Sequence, residues 1–270
     1  METHRIVRHE GRQLHYRDEG RDNENTLVLL HGFMQNLDIW TPLMLDLMNH
    51  MRVITIDLPG HGLSDTYSDI HGMDFMARCV KAVLEYAGVD QCVMVGHSMG
   101  GYVALSFADQ YPFVLRGLGL VHSHALADSD EKRREREAEC REIHGNRACY
   151  TLEYIPSLFD PSKQAELAQE IKDLKEECLL QCTEEGLLAA QRGMMKRPHQ
   201  IGTLKRAHYP CLFIFGKNDP RLPLEMAVTQ AMVPQHSEIM ILDHVAHMAH
   251  IEARECVKPR LRDFVSTCYL

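Results

Sequence analysis

The sequence predicts an α/β fold: a mostly parallel sheet, doubly wound by helices, with a helical insertion in its second half. Three observations lead there. Continuous apolar runs alternate with segments of helical spacing through roughly the first 120 residues, the pattern of parallel strands covered on both faces. Strand signals stop between Asp128 and about Gln200, where charge and helical periodicity take over, and then resume. A glycine-flanked serine, Ser98, stands where one apolar run turns straight into a helical pattern.

The elements follow in order. Arg5 to Arg8 and Gln13 to Arg17 read as a strand pair around Gly11. "TLVLL", Thr26 to Leu30, is a short apolar strand ending at His31-Gly32, and Trp40 to Met48 has helical spacing. "MRVITI", Met51 to Ile56, is a strand closed by Asp57-Leu58-Pro59-Gly60. Met73 to Ala87 is a helix stopped by Gly88. Gln91 to Val95 is a strand, Ser98 to Gln110 a helix, and Val114 to Val121 a strand. The insertion contains "DSDEKRREREAECREIH", a solvated helix face, and the periodic "AELAQEIKDLKEECLLQ". Strands return at Cys211 to Phe215 and Glu238 to Leu242, before a last helix from about Arg254 to Val265. The expected units are a core segment 1–125, an insertion 126–203 and a second core segment 204–270.

Bulk properties narrow the partners. The formal net charge is -9, and no basic cluster offers itself to nucleic acid or an anionic membrane. Residues 1–20 are polar, so no secretory leader is expected, and no run approaches the ~18 apolar residues of a membrane helix. Nine scattered cysteines are an odd number, which fits reduced thiols and a cytoplasmic location. Nothing in the residues decides between a monomer and a homodimer.

Chemistry concentrates in "GHSMGG", Gly96 to Gly101, a Gly-x-Ser-x-Gly pattern. A chain that passes from strand to helix within about one residue strains its central residue by ~1–3 kcal/mol and leaves no room for side chains two positions away. Such a turn lifts Ser98 above the sheet and aims the N–H of Met99 at the same spot. A serine needs a base to take its proton, and the base needs a partner to fix its tautomer. Downstream, "CLFIFGKNDP" places Asp219 just past a strand, and "ILDHVAHMAHIEARE" offers His244, His247 and His250 past the next. The three histidines also raise metal binding, as does "HSH" at His122 to His124. Their spacing converges poorly on one ion, and no metal is expected. Cys178 and Cys182 read as partial core. Asp57 and Asp65 read as turn-fixing residues.

Taken together, "HGFMQNLDIW", "VITIDLPGHGLSD", "VGHSMGGYVAL", "LFIFGKNDP" and "HMAHIEARE" resemble the α/β-hydrolases, in the branch with a serine nucleophile and a helical cap. The resemblance spans nearly the whole core. It implies an eight-stranded sheet, Ser98 as nucleophile, Asp219 as acid and His247, five residues before Glu252, as base. It also implies an oxyanion hole made by the N–H groups of Phe33 and Met99. Two positions depart from the family pattern: Ala246 where glycine usually precedes the histidine, and Arg254 where proline usually follows. Four further residues are candidates for substrate contact, each with a structural alternative: His97 beside the nucleophile, which could instead fill space next to the elbow; Trp40 after the "HG" loop, which reads as core packing before pocket lining; and Tyr154 and Leu158 in the insertion, which could hold the cap onto the core.

The implied activity is hydrolysis of a small-molecule carboxylic ester through an acyl-enzyme, as in carboxylesterases, with no cofactor. A serine at the elbow argues against the epoxide hydrolases and haloalkane dehalogenases of this fold, which use aspartate there. The same triad could instead serve carbon–carbon bond hydrolysis or a lyase step, and the same fold could serve a non-catalytic ligand receptor.

Overall fold

A computed structural model describes residues 4–270. Its centre is an eight-stranded sheet. The strands are β1 (His4–His9), β2 (Arg12–Glu19), β3 (Thr26–Leu30), β4 (Arg52–Ile56), β5 (Cys92–His97), β6 (Leu115–Val121), β7 (Cys211–Gly216) and β8 (Ser237–Leu242). Their spatial order is β1-β2-β4-β3-β5-β6-β7-β8. The β1/β2 and β2/β4 pairs are antiparallel, and every pair from β4/β3 to β7/β8 is parallel. The uninterrupted apolar strands are the central ones: every residue of β3, β5 and β7 is buried. β8, at one edge, alternates exposed and half-buried positions instead.

The helices are α1 (Thr41–Leu47), α2 (Met73–Tyr86), α3 (Met99–Gln110), α4 (Asp130–Tyr154), α5 (Ala168–Gln181), α6 (Glu184–Met195), α7 (Ile201–Arg206), α8 (Leu224–Ala231), α9 (Ala249–Glu252) and α10 (Arg254–Cys268). Helix α8 was not anticipated. It fills the β7-to-β8 crossover, which a parallel pair requires.

Helices α4 to α7 lie between β6 and β7 and form the insertion. Ser129 caps α4 by accepting from the Lys132 N–H, and Thr183 caps α6 by accepting from the Gly186 N–H. Helix α4 is broken at Asn146, whose backbone is non-helical. Helix α6 lies directly on the loop after β4. A side chain at Gly186 would strike the Gly60 carbonyl, and one at Gly193 would strike the His71 carbonyl. The boundary expected at residue 203 cuts through α7. That helix is tied to the core, where Asp109 of α3 accepts from the Thr203 hydroxyl at 2.9 Å and the Arg206 guanidinium at 2.7 Å.

Candidate active site

Ser98 sits between β5 and α3 with φ 50 and ψ -116, the strained elbow its neighbours predict. The glycines around it are there for space. A Cβ at Gly96 would collide with the Gly100 carbonyl, one at Gly100 with the carbonyls that end β3, and one at Gly101 with Ser123. The Ser98 N–H bonds the Val121 carbonyl at 2.9 Å, so β5 and β6 hold the turn together.

Asp219 lies in the loop after β7. Its Oδ1 accepts the backbone N–H groups of Arg221 at 2.8 Å and Leu222 at 3.1 Å, a local turn that orients the carboxylate. His247 lies in the loop between β8 and α9. Its Nδ1 is 2.9 Å from each oxygen of Asp219, and its Nε2 is 2.9 Å from the Ser98 Oγ. A carboxylate can only accept, so Nδ1 carries the proton and Nε2 is free to accept from the hydroxyl. Burial on its own would raise the Asp219 pKa. The His247 charge and hydrogen bonds from His122 and His247 override it and hold the carboxyl well below the usual range.

The loop carrying His247 is stapled from several sides. Its N–H donates to the Leu158 carbonyl at 2.9 Å, and its carbonyl accepts from His97 Nε2 at 2.8 Å. The buried Glu252 carboxylate accepts the N–H groups of Ala246 (3.1 Å), Met248 (3.0 Å) and Asp160 (2.8 Å). Glu252 therefore ties the loop to the insertion. Ala246 is not among the residues with positive φ, so the glycine usual at that position is not needed here. Arg254 opens α10 with no break in the helix.

Three of the four substrate-contact candidates are placed elsewhere. His97 is fully buried beneath the loop, where it holds His247 rather than facing open space. Burial, then its histidine neighbours, keep its pKa well below the ordinary value. Trp40 is fully buried and packs on His250 at 4.7 Å between ring centres. Leu158 is buried and contributes its backbone carbonyl. None of these three side chains lines the cavity beside Ser98. Tyr154 does face the cavity beside Ser98. His244 is exposed on the far side of the turn, and His250 is enclosed by Trp40 and His97. Cys178 and Cys182 are buried free thiols. Asp57 accepts the Leu37 N–H at 2.7 Å, the Leu63 N–H at 2.9 Å and a His15 N–H at 2.6 Å, which shapes the loop leading from Phe33.

A cavity of about 400 Å³ opens over Ser98 and His247. Phe33 lines it, with its ring edge-on to Tyr154. Met99 follows Ser98. Among the described residues, neither the Phe33 nor the Met99 N–H donates to a protein acceptor. The far wall is polar. Arg136 bonds Asp128 at 2.8 Å, and Arg221 lies over the Tyr154 ring at 4.5 Å while bonding Glu139 at 3.2 Å.

One partner went unrecognised in the sequence. His122, first residue after β6, has its Nδ1 2.8 Å from Asp219 Oδ2. Its "HSH" setting carries no signal for this. The usable signal is topological, because residues just past the carboxyl ends of adjacent parallel strands cluster, and β6 pairs with β7. His122, Asp219 and His247 form the one cluster of metal-type ligand atoms among the described residues. Nδ1 of each ring is bonded to Asp219, so a cation held there would displace the protons that link the carboxylate to both rings.

Residues 25–139 match the family model described as alpha/beta hydrolase fold. The whole chain superposes on a thermophilic esterase from Thermogutta terrifontis with a TM-score of 0.92, at 26% identity and 99% coverage of both chains. The chain has the α/β-hydrolase fold.

Two curated relatives extend the likeness of this chain. It is 29% identical over 94% of its length, and 91% of the relative's, to a 2-hydroxy-6-oxononadienedioate/2-hydroxy-6-oxononatrienedioate hydrolase from Paraburkholderia phymatum. It is 28% identical over 94% of its length, and 67% of the relative's, to the dihydrolipoyllysine-residue acetyltransferase component of an acetoin cleaving system from Pseudomonas putida. Among the described residues, no helix is long and apolar enough to cross a membrane.

Proposed function

We propose that this protein is a serine hydrolase that cleaves a carboxylic ester of small or medium size through an acyl-enzyme. The observation that carries the reading is the unbroken path Asp219–His247–Ser98, with each link at 2.9 Å, beneath a cavity of about 400 Å³. His247 takes the hydroxyl proton as the Ser98 oxygen attacks the ester carbonyl. The charge that builds on the carbonyl oxygen falls to the free N–H groups of Phe33 and Met99, each such donor being worth ~3–4 kcal/mol of barrier. His247 then protonates the departing alcohol. Water attacks the acyl group by the same proton route, releasing the carboxylic acid and restoring Ser98. The likeness to an esterase over the full chain supports the reading.

A second reading, carbon–carbon bond hydrolysis with the same triad, is favoured by the likeness to the Paraburkholderia dioate hydrolase. One experiment separates the two: p-nitrophenyl esters of increasing acyl length are assayed beside a vinylogous 1,5-diketone. Ester turnover that ends with Ser98→Ala, at an unchanged melting temperature, is expected. Wild-type turnover in that variant, or cleavage of the diketone alone, rejects the esterase reading.

A further inference from the structure

The carboxylate of Asp219 serves two histidines. His122 is 1% exposed and sits at φ 49, in the left-handed region that a side-chain-bearing residue enters only under strain. Its two ring nitrogens have different partners. Nδ1 lies 2.8 Å from Asp219 Oδ2, and Nε2 accepts the Ala249 N–H at 3.2 Å. A backbone N–H can only donate, so Nε2 holds a lone pair and the ring proton is on Nδ1, aimed at the carboxylate. Burial, only partly opposed by Asp219, lowers the His122 pKa and favours the neutral ring.

Both oxygens of Asp219 are thereby occupied. Oδ1 takes the N–H groups of Arg221 and Leu222, Oδ2 takes His122, and His247 spans the two. The groups packed around His247 are Asp219 past β7, His122 past β6, His97 on β5, and His250 and Glu252 on its own segment. Tyr154, Arg221 and Glu139 lie on the cavity side. Of these, only Asp219 bonds the ring nitrogens of His247, so what happens to its charge reaches the base directly.

We propose that His122 is a positioning residue for the hydrolytic machinery. By holding one oxygen of Asp219 it fixes the carboxylate toward His247 and tempers the charge offered to the imidazolium. Through Ala249 it locks the acid to the segment that follows the base. This inference rests on the reading of Asp219 as the triad acid.

Three measurements test it. In the wild-type protein, nitrogen-15 NMR of the imidazoles should find His122 as the neutral Nδ1–H tautomer from pH 5.5 to 9. A proton on Nε2, or titration in that range, overturns the proposal even if no variant folds. His122→Asn places an amide N–H where Nδ1 stands and tolerates the left-handed backbone, and should keep kcat within about threefold. His122→Phe keeps the ring without the donor. Loss of a hydrogen bond to a charged group should lower its kcat by about 10- to 100-fold, with KM within about twofold. With nothing tempering Asp219, the acid limb of kcat/KM should move up by about half a pH unit.

A folded Phe variant with wild-type kcat and pH profile, or an Asn variant as impaired as Phe, overturns the proposal and leaves the hydrolase reading standing. A wild-type protein that turns over no ester and takes up no fluorophosphonate overturns both.

Discussion

Replacing Glu252 by alanine should damage both stability and catalysis, and the size of the damage can be worked from the hydrogen bonds. The carboxylate accepts three backbone N–H groups, from Ala246, Met248 and Asp160, all at buried sites. Each donor left without a partner costs ~1–3 kcal/mol, and partial relaxation makes ~4 kcal/mol a reasonable sum. That is a large part of the ~5–15 kcal/mol that stabilises a typical domain. A urea titration should show the midpoint falling by about 1 M or more. The same change frees the segment on either side of His247, so kcat for a p-nitrophenyl ester should fall further than the loss of folded protein explains. Glu252→Gln keeps one acceptor oxygen and should lose about half as much stability. The reasoning is refuted by an alanine variant with an unchanged midpoint, and equally by one that is destabilised yet turns over at the wild-type rate once folded.

Other outcomes follow from the same interactions. Burial holds His31 and His71 at a pKa of about 4 and His61 and His124 at about 3, against 6.5 when free. Below pH 6.5 the unfolded chain therefore binds protons that the native state refuses, and stability must fall with pH. For His31 alone the loss is ~2 kcal/mol at pH 5. The depressed Asp219 acts in the same direction but at lower pH, since its contribution is intact above about pH 5 and is lost as the pH falls through the carboxylate range. The melting temperature should thus drop between pH 7 and pH 5, and a flat profile there would contradict the burial of these rings. Ala246→Gly should destabilise by ~0.4–1 kcal/mol in the same urea assay, because φ there is not positive and glycine only adds freedom to the unfolded chain. A stabilised glycine variant would show that the loop is strained at Ala246. Ser98→Ala should end labelling by a fluorophosphonate while thermal unfolding stays within a few degrees. Labelling that persists would place the reactive nucleophile elsewhere.

How far the residues alone lead depends on the range of the interaction. Strand and helix patterns are local, and they placed all eight strand segments and the elbow to within a residue or two. Helix α8 was missed because it is only eight residues long, too short a run for helical periodicity to stand out. His97 and Trp40 were candidates for ligand contact because they neighbour Ser98 and the "HG" loop in the chain. In space they lie beneath the loop, where His97 bonds the His247 carbonyl and Trp40 packs on His250. Glu252 was visible only as a landmark for finding the histidine. Its three backbone donors come from two segments about ninety residues apart.

What the sequence by itself determined is the fold class, the elbow, and the order of a serine, an aspartate and a histidine past three strand ends. Periodicity and turn chemistry are properties of neighbouring residues, so they can be read along the chain. Only the tertiary structure decided that His122 completes the surroundings of Asp219, that Leu158 and Glu252 hold the His247 loop, and that Tyr154 alone of the four candidates faces the cavity. Those facts depend on which strands lie side by side and how the insertion folds back. They are set by the packing of the whole core, in which residues a hundred positions apart become hydrogen-bond partners.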